Sequence, residues 1–144
     1  LLELDSPSSA VYKGIFCLLA RKGARDLSSW DLPEYSILDD HHLVPKSWGE
    51  KNAPYLAHSI ANRTPLSDDT NRRILKDRLP NIYLAELIAK YGRKSVIELL
   101  ATHLISERAL DVLLRDPFSA ADFEEVLKIR QDAIIKELKL CSSI

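Results

Sequence analysis

The spacing of apolar residues predicts helices near both ends of the chain and shorter elements between them. Close to the start, Ser8 or Ser9 is suited to cap a helix, because a serine hydroxyl accepts a hydrogen bond from a free amide of the first turn. Gly23 follows the last periodic position and is expected to end this helix. Its apolar stripe, which we expect to be buried, consists of Val11, Ile15, Phe16, Leu18 and Leu19.

The helical pattern returns in the second half and continues almost to the last residue. Pro80 suits the first turn of a helix that stops at Gly92. Three further helices are predicted over residues 95 to 105, 106 to 115 and 119 to about 140. The last of them begins S-A-A-D, which is similar to a capping box.

The middle of the chain predicts two short strands and a short helix. Residues 25 to 35 lack periodicity and are expected to form a loop. Residues 36 to 38 lead into an extended D-D-H-H segment that Pro45 terminates. After a second loop, another strand is expected within residues 59 to 66, and Ser67 caps a short helix with acidic residues in its first turn.

These elements predict an α+β fold that is mostly α, in which a helical body carries a small strand–loop–strand–helix insert. We expect residues 1 to 144 to form a single domain. Residues 1 to 35 supply the N-terminal helix and loop, residues 36 to 79 the insert, and residues 80 to 144 the C-terminal helices. The chain begins Leu-Leu-Glu and contains no methionine, so we expect it to be the C-terminal piece of a longer chain.

Composition and charge indicate the cellular environment of the protein and the kind of partner that it binds. No run approaches the ~18 apolar residues of a membrane span, and Cys17 and Cys141 lack zinc-ligand spacing, which favours a cytoplasmic protein with reduced thiols and no membrane contact. The net charge is −1, but residues 41 to 94 hold ten Lys/Arg against five Asp/Glu. This excess is typical of a surface that faces an anion, although chance variation in a helical protein explains it equally well.

Four polar positions of the insert indicate chemistry. His41 and His42 are adjacent, and neighbouring side chains on a strand point to opposite faces. Asn71 lies three and four positions before Ile74 and Leu75, so on a helix we expect it to share their face and point inward. A buried amide needs a partner. His41 and Asn71 are therefore candidates to hold one ion from two sides, which leaves His42 free to act as a base.

The motifs around these positions resemble the HNH endonucleases. The order is D-H-H-L-V-P-K-S, then S-I-A-N-R-T-P-L-S, then D-D-T-N-R-R-I, and the similarity extends over residues 39 to 84 through the downstream P-N-I-Y-L. It is closest to the C-terminal HNH domains of Gmr-type modification-dependent restriction enzymes and their relatives in phage defence. The later F-E-E-V-L-K-I-R-Q segment is also similar to the tail that follows the nuclease in that group.

The resemblance implies a ββα-metal hairpin-plus-helix site with one divalent ion and assigns a role to each matching residue. His42 would be the general base, His41 and Asn71 would be the metal ligands, and Asn62 would tie the loop between the strands and so orient the base. Two neutral ligands hold Mg2+ weakly and suit Mn2+, Ni2+ or Co2+ better, although Mg2+ is expected in the cell. Asp40 or Asp39 are candidates to supply the missing charge from outside the ligand set; a surface or loop-capping role is an alternative for both.

The implied activity is hydrolysis of DNA by the effector domain of a restriction or phage-defence protein. Its partners would be DNA, a sensing or nucleotide-hydrolysing N-terminal region of the same protein, and a second copy in a homodimer. A structure-specific or RNA-directed nuclease and a non-catalytic helical interaction module remain alternatives. Candidate contacts to the nucleic-acid backbone are Lys46, Arg63, Arg72, Arg73, Lys76 and Arg78.

The remaining aromatic residues and histidines carry no motif. His58 and His103 are expected to be a surface histidine or a hydrogen-bonded helical one, without a functional role. The packing residues of the chain are expected to include Trp30, Trp48, Tyr55 and Tyr83. For Trp48, which lies beside the proposed catalytic loop, contact with a nucleobase is an alternative.

Overall fold

The computed structural model describes residues 2–3, 5–6, 8–34 and 38–143. Helix α1 spans Ala10–Arg21, and the hydroxyl of Ser9 caps it by accepting a hydrogen bond from the Tyr12 amide. Gly23 follows with a positive φ of 80°, as expected for a residue that ends a helix. The predicted apolar stripe is wrong at Val11, whose side chain is exposed; Tyr12 is buried in its place.

Two antiparallel strands form the sheet of the described residues. Strand β1 spans Leu38–His42 and β2 spans Arg63–Ser67, with His41 opposite Thr64 and His42 opposite Arg63. The expected lead-in over residues 36 and 37 lies outside the described residues. Strand β1 ends at His42 rather than at Pro45, because the chain turns there and Leu43 donates its amide to the Asn62 carbonyl at 2.8 Å.

The connection between the strands contains a helix where a loop was predicted. Pro45 occupies the N-cap of α2, Lys46–Asn52, and its fixed φ of −52° leads the chain into the helical turn. Gly49 lets α2 lie against Ala57, since a Cβ at position 49 would come within 2.9 Å of the Ala57 Cβ. A 3-10 turn, Ile60–Asn62, then enters β2.

A short helix follows β2 directly, as predicted. Ser67 caps α3, Asp68–Thr70, and its hydroxyl accepts from the Thr70 amide at 3.2 Å. The helix continues as a π-helical turn, Asn71–Leu75, and ends where Lys76 adopts a left-handed conformation with φ of 49°.

Four helices complete the fold: α4 Pro80–Tyr91, α5 Arg93–Ala101, α6 Glu107–Leu113 and α7 Ala120–Ser142. Helix α5 begins and ends earlier than predicted, because the chain leaves the helix after Ala101 and Leu104 takes a positive φ of 57°. The capping box at Ser119 and Asp122 is confirmed, with both reciprocal hydrogen bonds present.

One cluster of buried apolar residues joins the hairpin to the C-terminal helices, including Val44, Leu66, Leu84, Leu110 and Phe123. The fold is therefore α+β and mostly helical, as predicted. Trp48 packs on Phe118 and Phe123, and the Tyr83 hydroxyl donates to the Leu43 carbonyl at 2.7 Å, whereas Tyr55 is exposed rather than packed. None of the helices in the described part of the chain is both long and apolar enough to span a bilayer.

Candidate metal centre and adjacent histidine

The alternation of β1 divides its four polar residues between the two faces of the sheet. Asp39 and His41 point to the face that α3 covers, and Asp40 and His42 point to the opposite face, toward α1. The segment that looks like one continuous polar run in the sequence therefore contributes to two distinct environments.

On the first face, His41 meets two carboxylates. Its Nε2 lies 3.4 Å from Asp68 Oδ1, and one potential ligand atom from each of Asp39, His41 and Asp68 lies within 4.8 Å of the others. The His41 side chain is 12% exposed, and its Nε2 is fully buried without a hydrogen-bond partner. Asp39 and Asp68 are exposed, so the cluster opens to solvent on one side.

The Asp39–His41–Asp68 cluster forms because of how the chain turns after β2. Ser67 pairs with Leu38 at the end of the sheet and caps α3, so the first helical residue, Asp68, is set beside β1. Asp39 and His41 are two residues apart on the same strand face, about 7 Å along the chain. The hairpin and the start of α3 therefore bring together three side chains that are separated by up to 29 positions.

The donors of the cluster fit a divalent cation. An imidazole nitrogen and two carboxylate oxygens are ligands for Mg2+ and Mn2+, and a buried nitrogen without a partner is satisfied when it coordinates an ion. Asp39 and Asp68 would add negative charge to the two neutral ligands expected from the sequence, and the identity of the ligands stays a prediction. The sequence pattern indicates for Asp68 only a favourable acid in a first helical turn.

Asn71 lies next to this cluster but does not point into the core. Its side chain is exposed while Leu75 is buried, so the expectation that it faces inward is wrong. Asn71 begins the π-helical turn that ends at Leu75. Asn71 still follows Asp68 by three positions, which is one helical turn on the same side. Its role as a metal ligand stays a prediction.

His42 occupies the second face among polar neighbours. Its ring lies edge-on to His58 with 5.6 Å between the ring centroids, and its Nε2 is buried without a hydrogen-bond partner. Burial, and then the positive charge of Arg63, lowers the pKa of His42 to about 4. The imidazole is therefore neutral at pH 7, half-buried, and holds an unused ring nitrogen.

A paired network surrounds His42. Asp40 accepts hydrogen bonds from Arg63 at 3.1 Å and from the Tyr12 hydroxyl, and the Arg63 guanidinium lies 5.3 Å from the centre of the Tyr12 ring. Asp40 therefore does not lie with the Asp39–His41–Asp68 cluster. Arg63 is buried and committed to Asp40, which corrects the prediction that it contacts a nucleic-acid backbone.

His58 belongs to the same network, although no role was predicted for it. Its Nε2 pairs with Glu50 Oε1 at 2.9 Å, and its Nδ1 lies 3.5 Å from Arg63 Nη2. Both nitrogens of His58 are thus engaged, in contrast to His42. The sequence carries no signal for this contact, because Glu50, His58 and Arg63 meet only when α2 packs beside the hairpin.

Asn62 ties the loop as predicted. It is fully buried, and its side-chain amide donates to the Val44 and Ala57 carbonyls, each at 3.0 Å, while its oxygen accepts from the Val44 amide at 2.9 Å. These three hydrogen bonds fix the residues that immediately follow His42. The consequence for catalysis stays a prediction.

The basic residues divide into free and committed groups. Arg78 forms a two-pronged ion pair with Glu86 at 2.7 and 2.8 Å, and its contact with a phosphate stays a prediction. Arg73 pairs with Asp69, and Lys46 lies 3.9 Å from Glu50; both remain largely exposed. Arg72 and Lys76 are exposed and have no ion pair within the described residues.

No family model matches the chain, and no solved structure matches it. The chain is 30% identical over 157 aligned residues to an uncharacterized protein of Methanocaldococcus jannaschii. That alignment covers 96% of this chain, and the chain spans 27% of the length of its relative.

Proposed function

We propose that this chain is a metal-dependent endonuclease of the HNH class that hydrolyses phosphodiester bonds in DNA, with the hairpin and α3 as its ββα unit. One observation carries the proposal: His41 and His42 present buried, unpartnered Nε2 atoms on opposite faces of one strand, and the first of them meets Asp68 and Asp39. A metal ligand and a base without a competing hydrogen bond are two groups that metal-assisted phosphodiester hydrolysis can use.

His41, Asp39 and Asp68 are the residues that would hold the ion, and Asn71, three positions after Asp68, would join them from the next turn. Bound there, a divalent cation supplies Lewis-acid stabilisation of the negative charge that develops on the phosphate and on the departing oxygen. Two carboxylates favour Mg2+ or Mn2+ over softer ions, and Ni2+ and Co2+ remain possible through the imidazole.

His42 would remove the proton from the attacking water. Its lowered pKa keeps the ring unprotonated at neutral pH, and its Nε2 has no competing hydrogen bond. Asn62 would hold the turn after His42, and the Asp40–Arg63–His58 network would prevent the ring from rotating away. A base with a fixed orientation reduces the entropy lost on reaching the transition state.

The exposed cations would bind the DNA backbone. Arg72 and Arg73 lie on the Asn71–Leu75 segment, Lys76 follows it directly, and Lys46 begins α2. Contacts to phosphates position the duplex without reading its sequence. In this proposal the chain is the effector of a restriction or phage-defence protein, and a sensing or nucleotide-hydrolysing region of that protein, or a second copy, would control cleavage.

The test is cleavage of supercoiled plasmid with Mg2+, Mn2+, Ni2+ or EDTA, for the wild type and for His42→Ala. We expect metal-dependent nicking that EDTA stops and that His42→Ala lowers by about 10²- to 10⁴-fold, with unchanged circular dichroism. Lys94→Ala, an exposed change on α5, is the matched control and should cleave as the wild type does.

Two results would contradict the proposal. If His42→Ala cleaves at the wild-type rate, the activity does not depend on this site. If no metal supports cleavage and EDTA lowers the melting temperature, the cation stabilises the hairpin in a non-catalytic interaction module. Cleavage of an RNA duplex but not of DNA would retain the site and change the substrate.

A further inference from the structure

The guanidinium of Arg130, in the middle of α7, is wholly buried and reaches the hairpin. Its Nη1 donates to the Ala61 carbonyl at 2.9 Å and to the Arg63 carbonyl at 2.7 Å, and its Nε and Nη2 donate to the His103 carbonyl at 3.2 and 3.0 Å. Within the described part of the chain no carboxylate pairs with it. Backbone carbonyls alone satisfy this buried charge.

Such an arrangement is unusual on energetic grounds. Removing a guanidinium from water is costly, and a counter-ion or several well-placed hydrogen bonds must compensate. Arginine suits the position because its planar fork of donors reaches three acceptors at once, which lysine cannot do. Burial lowers the pKa of Arg130 to about 9, so the side chain remains cationic at neutral pH.

The carbonyls that Arg130 binds flank Asn62. The Asn62 carbonyl accepts from the Leu43 amide at 2.8 Å, and the Asn62 side chain makes two hydrogen bonds to Val44. Leu43 and Val44 are the two residues after His42. One continuous series of hydrogen bonds therefore runs from α7 through the Asn62 turn to the residue next to His42.

We propose that Arg130 is a positioning residue for the reaction: it fixes the Asn62 turn from the side of α7 and thereby sets the orientation of the His42 ring. The inference rests on the proposed function, because it takes His42 as the base. Arg130 makes no hydrogen bond to the Asp39–His41–Asp68 cluster or to the exposed cations, so we expect its main effect on the proton-transfer step.

The test compares Arg130→Lys and Arg130→Met with the wild type, using the full chain. Val126→Ala is the matched control, since Val126 is buried one turn earlier on α7 and makes no side-chain hydrogen bond to the hairpin. We expect both Arg130 variants to lower kcat by about 10²-fold, the size of effect that follows a small displacement of a reacting group. KM for DNA and the affinity for Mn2+ should not change.

A second measurement does not require activity. Hydrogen exchange of the Val44 amide is measured for each variant at a temperature equally far below its own melting temperature. We expect exchange to be faster in Arg130→Lys than in Val126→Ala, because only the former loosens the Asn62 turn. Arg130→Lys keeps the positive charge and some hydrogen-bond donors, so it provides the comparison with the wild type if Arg130→Met does not fold.

The outcomes separate the two proposals. If the wild type fails to cleave with any metal, the proposed function is wrong, and the Val44 exchange still tests whether Arg130 holds the turn. If the wild type cleaves and Arg130→Lys keeps its kcat, or loses kcat and Mn2+ affinity together, Arg130 is not a positioning residue. Exchange at Val44 that matches the control also overturns the inference.

Discussion

His42, half-buried in β1, and His103, fully buried between α5 and α6, differ in the hydrogen bonds that their rings make. Burial lowers the pKa of both His42 and His103 to about 4. His103 uses both ring nitrogens: Nε2 donates to the Arg25 carbonyl and Nδ1 accepts from the Thr64 hydroxyl, each at 2.6 Å. His42 keeps its Nε2 without a partner.

The difference teaches that hydrogen bonding, rather than pKa, separates the two histidines, because only His42 keeps a ring nitrogen available for the proton transfer that we propose. Nearly all buried polar atoms in folded proteins have partners, and His103 conforms to this rule. An imidazole with both nitrogens engaged fixes its tautomer and holds two elements together. An imidazole with a free nitrogen can exchange a proton with a reactant, provided that the structure keeps the ring in place.

The strongest test of the difference between His42 and His103 is to remove each imidazole ring in turn. We expect His42→Ala to lower the cleavage rate by about 10²- to 10⁴-fold and to leave the free energy of unfolding within about 1 kcal/mol of the wild type. We expect His103→Ala to do the reverse, with a loss of about 2–3 kcal/mol and a nearly unchanged rate, because it leaves the buried Thr64 hydroxyl without its partner. Urea denaturation and plasmid cleavage measure the two effects, and equal effects on both would end the distinction.

The support of His42 can be tested at Asn62. We expect Asn62→Ala to lower the free energy of unfolding by about 3 kcal/mol, since it leaves a buried amide and two buried carbonyls without their hydrogen bonds. The control is Asn52→Ala in the same connection, because Asn52 is exposed and makes one hydrogen bond to the Trp48 carbonyl. A loss below about 1 kcal/mol at both positions would show that the Asn62 turn is held by other contacts.

The lowered pKa values of His42 and His103 predict how the free energy of unfolding depends on pH. Each folded-state pKa is about 4 and lies below the ordinary value of 6.5, so the unfolded chain binds more protons between these values. Stability is therefore constant above pH 6.5 from this source and falls as pH is lowered toward 4, by about 2 kcal/mol for His103 between pH 6.5 and 4.5. In His103→Gln the slope in this window should be shallower; an unchanged slope would contradict the assignment.

The smallest expected effect concerns the exposed cations. We expect Arg72→Ala and Lys76→Ala each to weaken DNA binding a few-fold and to reduce the salt slope of binding by about 1, while leaving kcat at saturating DNA unchanged. Arg78→Ala is the control, because that side chain is already paired with Glu86. Equal weakening by all three variants would indicate a general charge effect rather than contacts by Arg72 and Lys76.

Local signals in the sequence predicted much of the fold. The hydroxyls of Ser9, Ser67 and Ser119 cap the helices that follow them, and Pro80 and Gly92 bound α4, because each of these effects depends on neighbours within one turn. Helix α2 was missed since its seven residues, K-S-W-G-E-K-N, have no apolar period. Two of its packing partners, Phe118 and Phe123, are distant in the sequence.

The candidate site was predicted only in part, because the sequence shows local motifs but not contacts between distant residues. The motif identified His41, His42 and Asn62, and the hydrogen bonds of Asn62 match the expected tie. The contacts of Asp68 and His58 were not predicted, because they arise only when α3 and α2 fold against the sheet. The pairing of Asp40 with Arg63 likewise follows from the strand register, which the sequence does not contain.

The most direct test of the central claim is a Mn2+ titration followed by electron paramagnetic resonance, which counts the free ion in the absence of DNA. We predict one bound Mn2+ for the wild type and binding weakened by at least about 10-fold in His41→Ala and Asp68→Asn. Asp69→Asn, which changes the neighbouring acid that pairs with Arg73, should bind as the wild type does. Equal binding by Asp68→Asn and Asp69→Asn would contradict a metal centre at His41, Asp39 and Asp68.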